Sequence, residues 1–190
     1  ISLIHVADGG KPMDNAYWNG ALMLYGDGDV AYKALAGGLD VAAHEMAHGV
    51  TQHTVGLEYK FQSGALNESL SDVFGVMVDR DDWLLGEDIA KPTYYTSGAL
   101  RDMVRPHNGG VHTNCGVPNH NFALITDGGT YNGQVVAGIG MTKTFAIHWR
   151  AQSVYMVPAT DFEDYANALD QSCTDLIGVN LPSLYTGAPS

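Results

Sequence analysis

From Gly38 to Gly56 the chain reads GLDVAAHEMAHGVTQHTVG, and the reading of this run decides how everything around it is placed. Leu39, Ala42, Ala43, Met46, Ala47 and Val50 recur at helical spacing behind Asp40, which reads as the cap, and Gly56 ends the segment. The helix carries His44-Glu45-Met46-Ala47-His48, an HExxH pattern. A spacing of four puts both imidazoles on one face, one turn apart, where together they can grip a single metal ion. Glu45, next to His44, points close enough to reach a water on that metal. The bland competitor is a pair of histidines on an ordinary helix surface, and the following helix decides against it.

A second helix is expected from Ala65 to Val78, burying Leu66, Leu70, Val73, Phe74 and Met77. It carries Glu68, twenty residues after His48, where an antiparallel return brings a carboxylate to the same metal. Two histidines and a glutamate leave a fourth position open for water, the pattern of a catalytic rather than a structural zinc site, and no nearby cysteine fills it. Asp72, one turn beyond Glu68, is placed to accept the free N–H of His44. The alternative HExxHxxGxxH pattern fails because Thr51 and Thr54 occupy its Gly and His positions and His53 is one residue out of register.

Ahead of this pair of helices, residues 1 to about 36 alternate strand and turn signals, ending at Gly26-Asp27-Gly28-Asp29, and read as a small antiparallel piece of sheet. Behind it, residues 80–115 read as a long loop region rich in Asp, Gly and Pro, and three further helices are expected near 118–127, 141–155 and 161–176. The expected fold is α+β: a residual β-rich part over 1–37, packed on a mainly α-helical lobe over 38–190, with the metal in the cleft between them.

The whole chain has 190 residues, nine basic against twenty-one acidic, and a net charge of −12, which argues against nucleic acid and anionic membranes as partners. No apolar stretch approaches the roughly eighteen residues of a membrane span, and the start lacks a signal-peptide pattern, so a mature or excised form is expected; the acidic surface suits a secreted protein, and a monomer is expected. Two cysteines are too few for a disulfide framework. A single bridge between Cys115 and Cys173 suits a secreted chain, against two buried free thiols.

Asn15-Ala16-Tyr17-Trp18-Asn19-Gly20, Tyr25-Gly26-Asp27-Gly28-Asp29, His44 to His48, Ser63-Gly64-Ala65-Leu66-Asn67-Glu68, Gly86-Glu87-Asp88 and Asn108-Gly109-Gly110-Val111-His112 are six blocks that follow one another in order. Together they resemble the thermolysin family of zinc metalloproteases. The resemblance implies an endopeptidase acting on peptide or protein substrates through one catalytic zinc, held by His44, His48 and Glu68, with Glu45 activating its bound water. It further implies that His112 and Tyr59 stabilise the developing oxyanion. Asn15 and Ala16 resemble a substrate-pairing edge strand, and Arg101 the arginine that contacts the substrate carbonyl. Leu35, Val41, Leu85, Ile89 and Leu100 resemble an aliphatic specificity pocket, implying cleavage on the amino side of Leu, Phe, Ile or Val.

Asp40, Asp79, Asp82 and Glu87 align with calcium ligands of the family. The loop from Asp79 to Trp83 is short and Leu84 stands at an acidic ligand position, so one calcium is expected rather than two. His107 replaces the usual aspartate that orients the histidine at His112. The family also carries a long β-rich segment ahead of the part matched here. Its absence gives the rival reading, a truncated, non-catalytic zinc- and peptide-binding module.

Overall fold

The computed structural model describes residues 1–105 and 109–185. Four strands form the N-terminal sheet: β1 (Ser2–Asp8), β2 (Lys11–Pro12), β3 (Ala16–Trp18) and β4 (Met23–Gly26), in the order β2-β1-β4-β3. The β3–β4 hairpin is antiparallel, its turn held by Asn19 Oδ1, which accepts from the amides of Ala21 and Leu22 at 3.0 Å. β1, however, pairs with β4 in parallel, so the sheet is mixed and the wholly antiparallel expectation is corrected. Hairpin signals report neighbours in sequence, whereas this pairing skips two strands and leaves no local trace. β3 lies at the sheet edge.

Beyond β4 the chain is pinned by Asp14, whose carboxylate accepts from the amides of Asp29, Val30, Ala31 and Tyr32 at 2.7–3.1 Å. Burial opposes ionisation there, but the four donors outweigh it and hold the carboxyl below its ordinary value. A single 3₁₀ turn (Leu35–Gly37) then leads into α1 (Leu39–His53). Gly38, not Asp40, is the N-cap. Asp40 lies inside the first turn, where Oδ1 accepts from the Val41 amide at 2.7 Å and Oδ2 from the Gly86 amide. Its negative charge still suits the positive end of the helix.

Helix α2 spans Phe61–Val78 and starts four residues before the expected Ala65. Gly64 in its first turn serves close approach: a Cβ there would stand 2.8 Å from Val111 Cγ1 and 3.1 Å from the Tyr59 carbonyl carbon. Glycine at this point lets the segments carrying Tyr59 and His112 come down onto α2. Helices α1 and α2 pack extensively on each other.

The expected loop region contains a two-stranded pair, β5 (Leu84–Leu85) with β6 (Arg101–Asp102), and a short α3 (Val111–Asn114). Helix α4 (Gly116–Asp127) precedes a hairpin of β7 (Gly128–Tyr131) and β8 (Gln134–Ala137) that the sequence reading missed. Its signal was present: Asn132 and Gly133 both take positive φ, +48° and +76°, as a primed two-residue turn requires. Helix α5 (Met141–Arg150) runs into a π-helical turn (Ala151–Tyr155), and α6 (Phe162–Asp175) closes the bundle, started by Asp161, whose side chain accepts from the Asp164 amide. None of the described helices is long and apolar enough to cross a membrane.

Among the described residues the core forms three clusters. One joins α2, α5 and α6 through Leu66, Leu70, Ile147 and Leu169; one joins α2, β5 and α4 through Val73, Leu85 and Phe122; one seats the sheet on α1 through Met23, Tyr25, Leu35, Val41 and Ile89. The third cluster fixes β3 relative to α1, and so sets the cleft. The expected disulfide does not form: Cys115 is buried at the head of α4, Cys173 lies exposed on α6, and both are free thiols.

His148 on α5 is fully buried between Phe122 and Tyr165, with ring centroids 4.9 and 5.9 Å away. Its Nδ1–H donates to the Thr144 carbonyl at 2.8 Å and its Nε2 has no partner. Burial drives its pKa down to about 4 from 6.5, and the hydrogen bond to the Thr144 carbonyl offsets only part of that. A histidine with a depressed folded pKa stabilises above its unfolded value and loses that contribution as pH falls through the window between the two. We expect the unfolding constant to rise about tenfold per pH unit between roughly 6.5 and 4 on this account, ~3 kcal/mol in all. Urea unfolding of His148→Phe beside the wild type should show that part of the acid sensitivity removed; identical pH slopes would refute the assignment.

Candidate metal centre

His44 and His48 face the same side of α1, and α2 brings Glu68 beneath them. The two Nε2 atoms lie 3.0 Å apart, and Glu68 places Oε2 3.6 Å from His44 Nε2 and Oε1 3.5 Å from His48 Nε2. The ligand atoms all fall within 4.8 Å of one another. Both outer nitrogens are held from behind. His44 Nδ1–H donates to Asp72 Oδ1 at 2.8 Å, and His48 Nδ1–H donates to Asn67 Oδ1 at 2.7 Å, with Ser71 Oγ 3.1 Å away. These acceptors fix both tautomers so that Nε2 is the free lone pair on each ring.

Two lone pairs at 3.0 Å beside a carboxylate repel unless positive charge sits between them. A shared proton can satisfy the two nitrogens, but it leaves Glu68 Oε2, buried and without a hydrogen-bond partner, unserved. A divalent cation serves all of them, and the N, N, O donor set with one open side suits zinc. The electrostatics agree. Burial pushes His48 down to about 4, helped by His44, and favours its neutral form. For His44 burial is outweighed by Asp72 and Glu68, which pull it up. Glu68 stays ionised because His44, Arg101, His48 and His112 outweigh its burial.

Asp72 is itself completely buried and meets the guanidinium of Arg101 in a two-pronged pair, at 2.7 and 2.6 Å. Asn119 Nδ2 donates to its Oδ2 at 2.7 Å. Burial would raise the carboxyl, but Arg101 and His44 hold it well below its ordinary value. Asn119, Asn67 and Ser71 were not singled out from the sequence; a buried polar side chain on an apolar helix face is the only signal they give.

Glu45 is buried beside His44, and its carboxylate makes a backbone hydrogen bond with Trp18 on β3. Burial raises its pKa, with His44 opposing, so the group is a stronger base than an exposed glutamate. On the other side the Tyr59 hydroxyl donates to Glu68 Oε1 and lies 3.0 Å from His112 Nε2, which is 3.6 Å from the same Glu68 oxygen. Burial and the Glu68 charge raise the Tyr59 pKa, so it remains a proton-bearing donor. His107, expected to influence His112, lies outside the described residues.

A cleft of about 600 Å³ opens on this group. Its walls include Asn15, Ala16, Trp18, Tyr32, Leu35, Val41, Leu85, Leu100 and Arg101 together with the metal-side residues. Ile89 does not line it but packs behind Leu35 and Val41 in the core. Tyr32 was not anticipated; its hydroxyl meets that of Tyr95 at 2.6 Å.

The four acids aligned with calcium do not converge as a set. Asp79 and Glu87 do come together, joined by Asp88, with oxygens within 4.8 Å of one another. Asp40 has both oxygens on backbone amides, and Asp82 Oδ1 caps the Leu84 amide at 2.7 Å. Burial, then the neighbouring acids, raises the pKa values of Asp79 and Glu87, and one Glu87 oxygen is buried without a partner.

A His-His-Glu centre on two antiparallel helices, closed behind by Asp72 and open to a cleft under an edge strand, defines the zinc-peptidase class of site. Residues 1–52 match the family model described as thermolysin metallopeptidase, catalytic domain, and residues 55–184 match that of the thermolysin metallopeptidase alpha-helical domain. The chain belongs to the thermolysin metallopeptidase family. It is 46 % identical to bacillolysin of Brevibacillus brevis over 88 % of this chain and 35 % of that one, and 43 % identical to the extracellular elastase of Staphylococcus epidermidis over 94 % and 37 %. The precursor of protealysin, a metalloproteinase from Serratia proteamaculans, superposes with a TM-score of 0.71 at 31 % identity, covering 87 % of this chain and 61 % of that one. The chain thus spans about a third of the length of these curated relatives.

Proposed function

We propose that this chain forms the zinc-holding and catalytic part of a secreted endopeptidase that cleaves peptide bonds on the amino side of Leu, Phe, Ile or Val. The observation that carries the reading is the facing pair of free Nε2 lone pairs with Glu68 beneath them at the floor of the cleft. His44, His48 and Glu68 would hold the zinc, which when bound supplies a Lewis acid that polarises the scissile carbonyl and acidifies a water.

The protein's own groups do the rest. Glu45, made more basic by burial, takes a proton from the attacking water and returns it to the leaving amine. Tyr59 and His112 donate to the oxygen on which negative charge develops. The open edge at Asn15 and Ala16, where β3 begins, pairs with the substrate backbone as an added strand. Leu35, Val41, Leu85 and Leu100 receive the apolar side chain, and Arg101 reaches the neighbouring carbonyl. One relative of this chain carries the name extracellular elastase, which supports secretion.

The test is turnover of quenched peptides with Leu, Phe, Gly or Asp after the cut, with and without a zinc chelator. Chelator-sensitive cleavage before Leu and Phe is expected. Zinc uptake without hydrolysis would instead establish a non-catalytic peptide-binding module.

We place one structural calcium ion at Asp79, Glu87 and Asp88, with Asp40, whose two oxygens serve backbone amides, and Asp82, whose Oδ1 serves the Leu84 amide, as nearby acids. Oxygen-only carboxylate groups suit calcium, and the ion would relieve the mutual repulsion that raises Asp79 and Glu87. The melting temperature should climb with free calcium until the site saturates, and magnesium should substitute poorly. A melting temperature indifferent to calcium up to roughly 10 mM would remove this ion from the scheme.

A further inference from the structure

We infer that Asn119 is a positioning residue for the metal centre: from α4 it holds the Asp72 carboxylate in the one orientation that serves His44 and Arg101 together. The inference rests on the zinc reading above and concerns a residue that touches neither metal nor substrate.

A carboxylate offers about four lone-pair sites, and at Asp72 all four are taken. Oδ1 accepts from His44 Nδ1 and from Arg101 Nη2; Oδ2 accepts from Arg101 Nε and from Asn119 Nδ2. Two of these partners belong to the cleft. His44 faces the metal position and Arg101 lines the pocket, so each responds to what binds there. Asn119 is the partner anchored away from the cleft, 1 % exposed on a helix that packs on both α2 and α5. It supplies the fixed reference against which the carboxylate can turn neither toward the guanidinium nor away from the imidazole.

Its amide orientation is forced. With Oδ1 turned to Asp72, two acceptors would face each other at 2.7 Å, so the NH₂ group must be the one that points there. The consequence is that Asn119 Oδ1 is left buried with no partner. An apolar side chain would avoid that orphaned acceptor, so the polar residue serves this position through its donor. Loss of the donor frees Oδ2, lets Arg101 slide across the carboxylate, and loosens the hold on His44 Nδ1. Zinc retention and substrate contact should therefore fail together.

The experiment follows transfer of zinc from the loaded chain to a chromophoric chelator, alongside steady-state peptide kinetics. Asn119→Leu removes the donor while keeping the branch at Cγ, and Asn119→Ser is a smaller variant whose hydroxyl cannot span to Asp72. Both should release zinc about tenfold faster than wild type, with kcat lowered and KM raised together. Thr126→Val, on the same helix, deletes a buried hydroxyl that donates to the Phe122 carbonyl at 2.8 Å and should leave the release rate unchanged while lowering the melting temperature. Wild-type release rates in both Asn119 variants, or equal acceleration by Thr126→Val, would overturn the positioning role. A wild-type chain that takes up no zinc at all would overturn the zinc reading beneath it, a distinct result from the same assay.

Discussion

Glu45→Gln should keep zinc and fold while losing about 10²–10⁴-fold in peptide turnover. The substitution changes one oxygen for an NH₂ group, so the volume beside His44 is preserved and the three candidate ligands keep their places. What it removes is basicity. In this structure that basicity is raised by burial, since a charged carboxylate in a poorly solvated pocket binds a proton more readily. An amide in the same place can hydrogen-bond a water but cannot take its proton. The decisive comparison is turnover per bound zinc, with circular dichroism and metal content as controls. Wild-type-like cleavage by a zinc-loaded variant would place the base elsewhere and sink the mechanism. Loss of both zinc and turnover would mean that Glu45 holds the centre together.

The helical half of the site was legible because its information is local. A spacing of four placed His44 and His48 on one face, and a single return placed Glu68 and Asp72 opposite them, with no need to know the rest of the fold. The residues behind that shell were not legible. Asn119 reaches Asp72 across 47 residues of sequence from a helix whose pattern looks like core, and Asn67 reads as one more polar residue beside Glu68.

The same division runs through the sheet. The β3–β4 hairpin has its Asn19-Gly20 turn written in the chain, while the parallel pairing of β1 with β4 depends on two strands leaving and returning. At the acidic group the resemblance named the right neighbourhood but not the convergence. Asp40 gives both oxygens to backbone amides and Asp82 gives Oδ1 to the Leu84 amide, commitments set by how the helix and loop start, and Asp88 stands in the group instead. The missed β7–β8 hairpin is different in kind, since Asn132-Gly133 between two short, mostly exposed strands was a turn signal open to a purely local reading.

Removing either partner of the Asp72–Arg101 pair should destabilise the metal-free protein by about 3–5 kcal/mol, because the survivor is left charged in the interior. Asp72 is wholly buried and the Arg101 side chain is 18 % exposed, so neither finds adequate water when its partner goes. For Asp72→Leu the orphan is a guanidinium that lines the cleft; for Arg101→Leu it is a carboxylate that keeps only His44 and Asn119. The double variant behaves differently. With both charges gone the desolvation cost disappears, and stability should return to within roughly 1–2 kcal/mol of wild type. His44 Nδ1 then has no acceptor, and the tautomer that presents Nε2 to a metal is no longer enforced. Fold and function should therefore separate: urea unfolding of metal-stripped protein recovers in the double variant, whereas zinc retention stays as poor as in Asp72→Leu. Measuring stability without metal matters, since bound zinc stabilises whichever variant holds it by mass action. If the double variant regains zinc along with stability, Asp72 acts on the centre only by neutralising Arg101, and the orientation of His44 must be set by the helix alone.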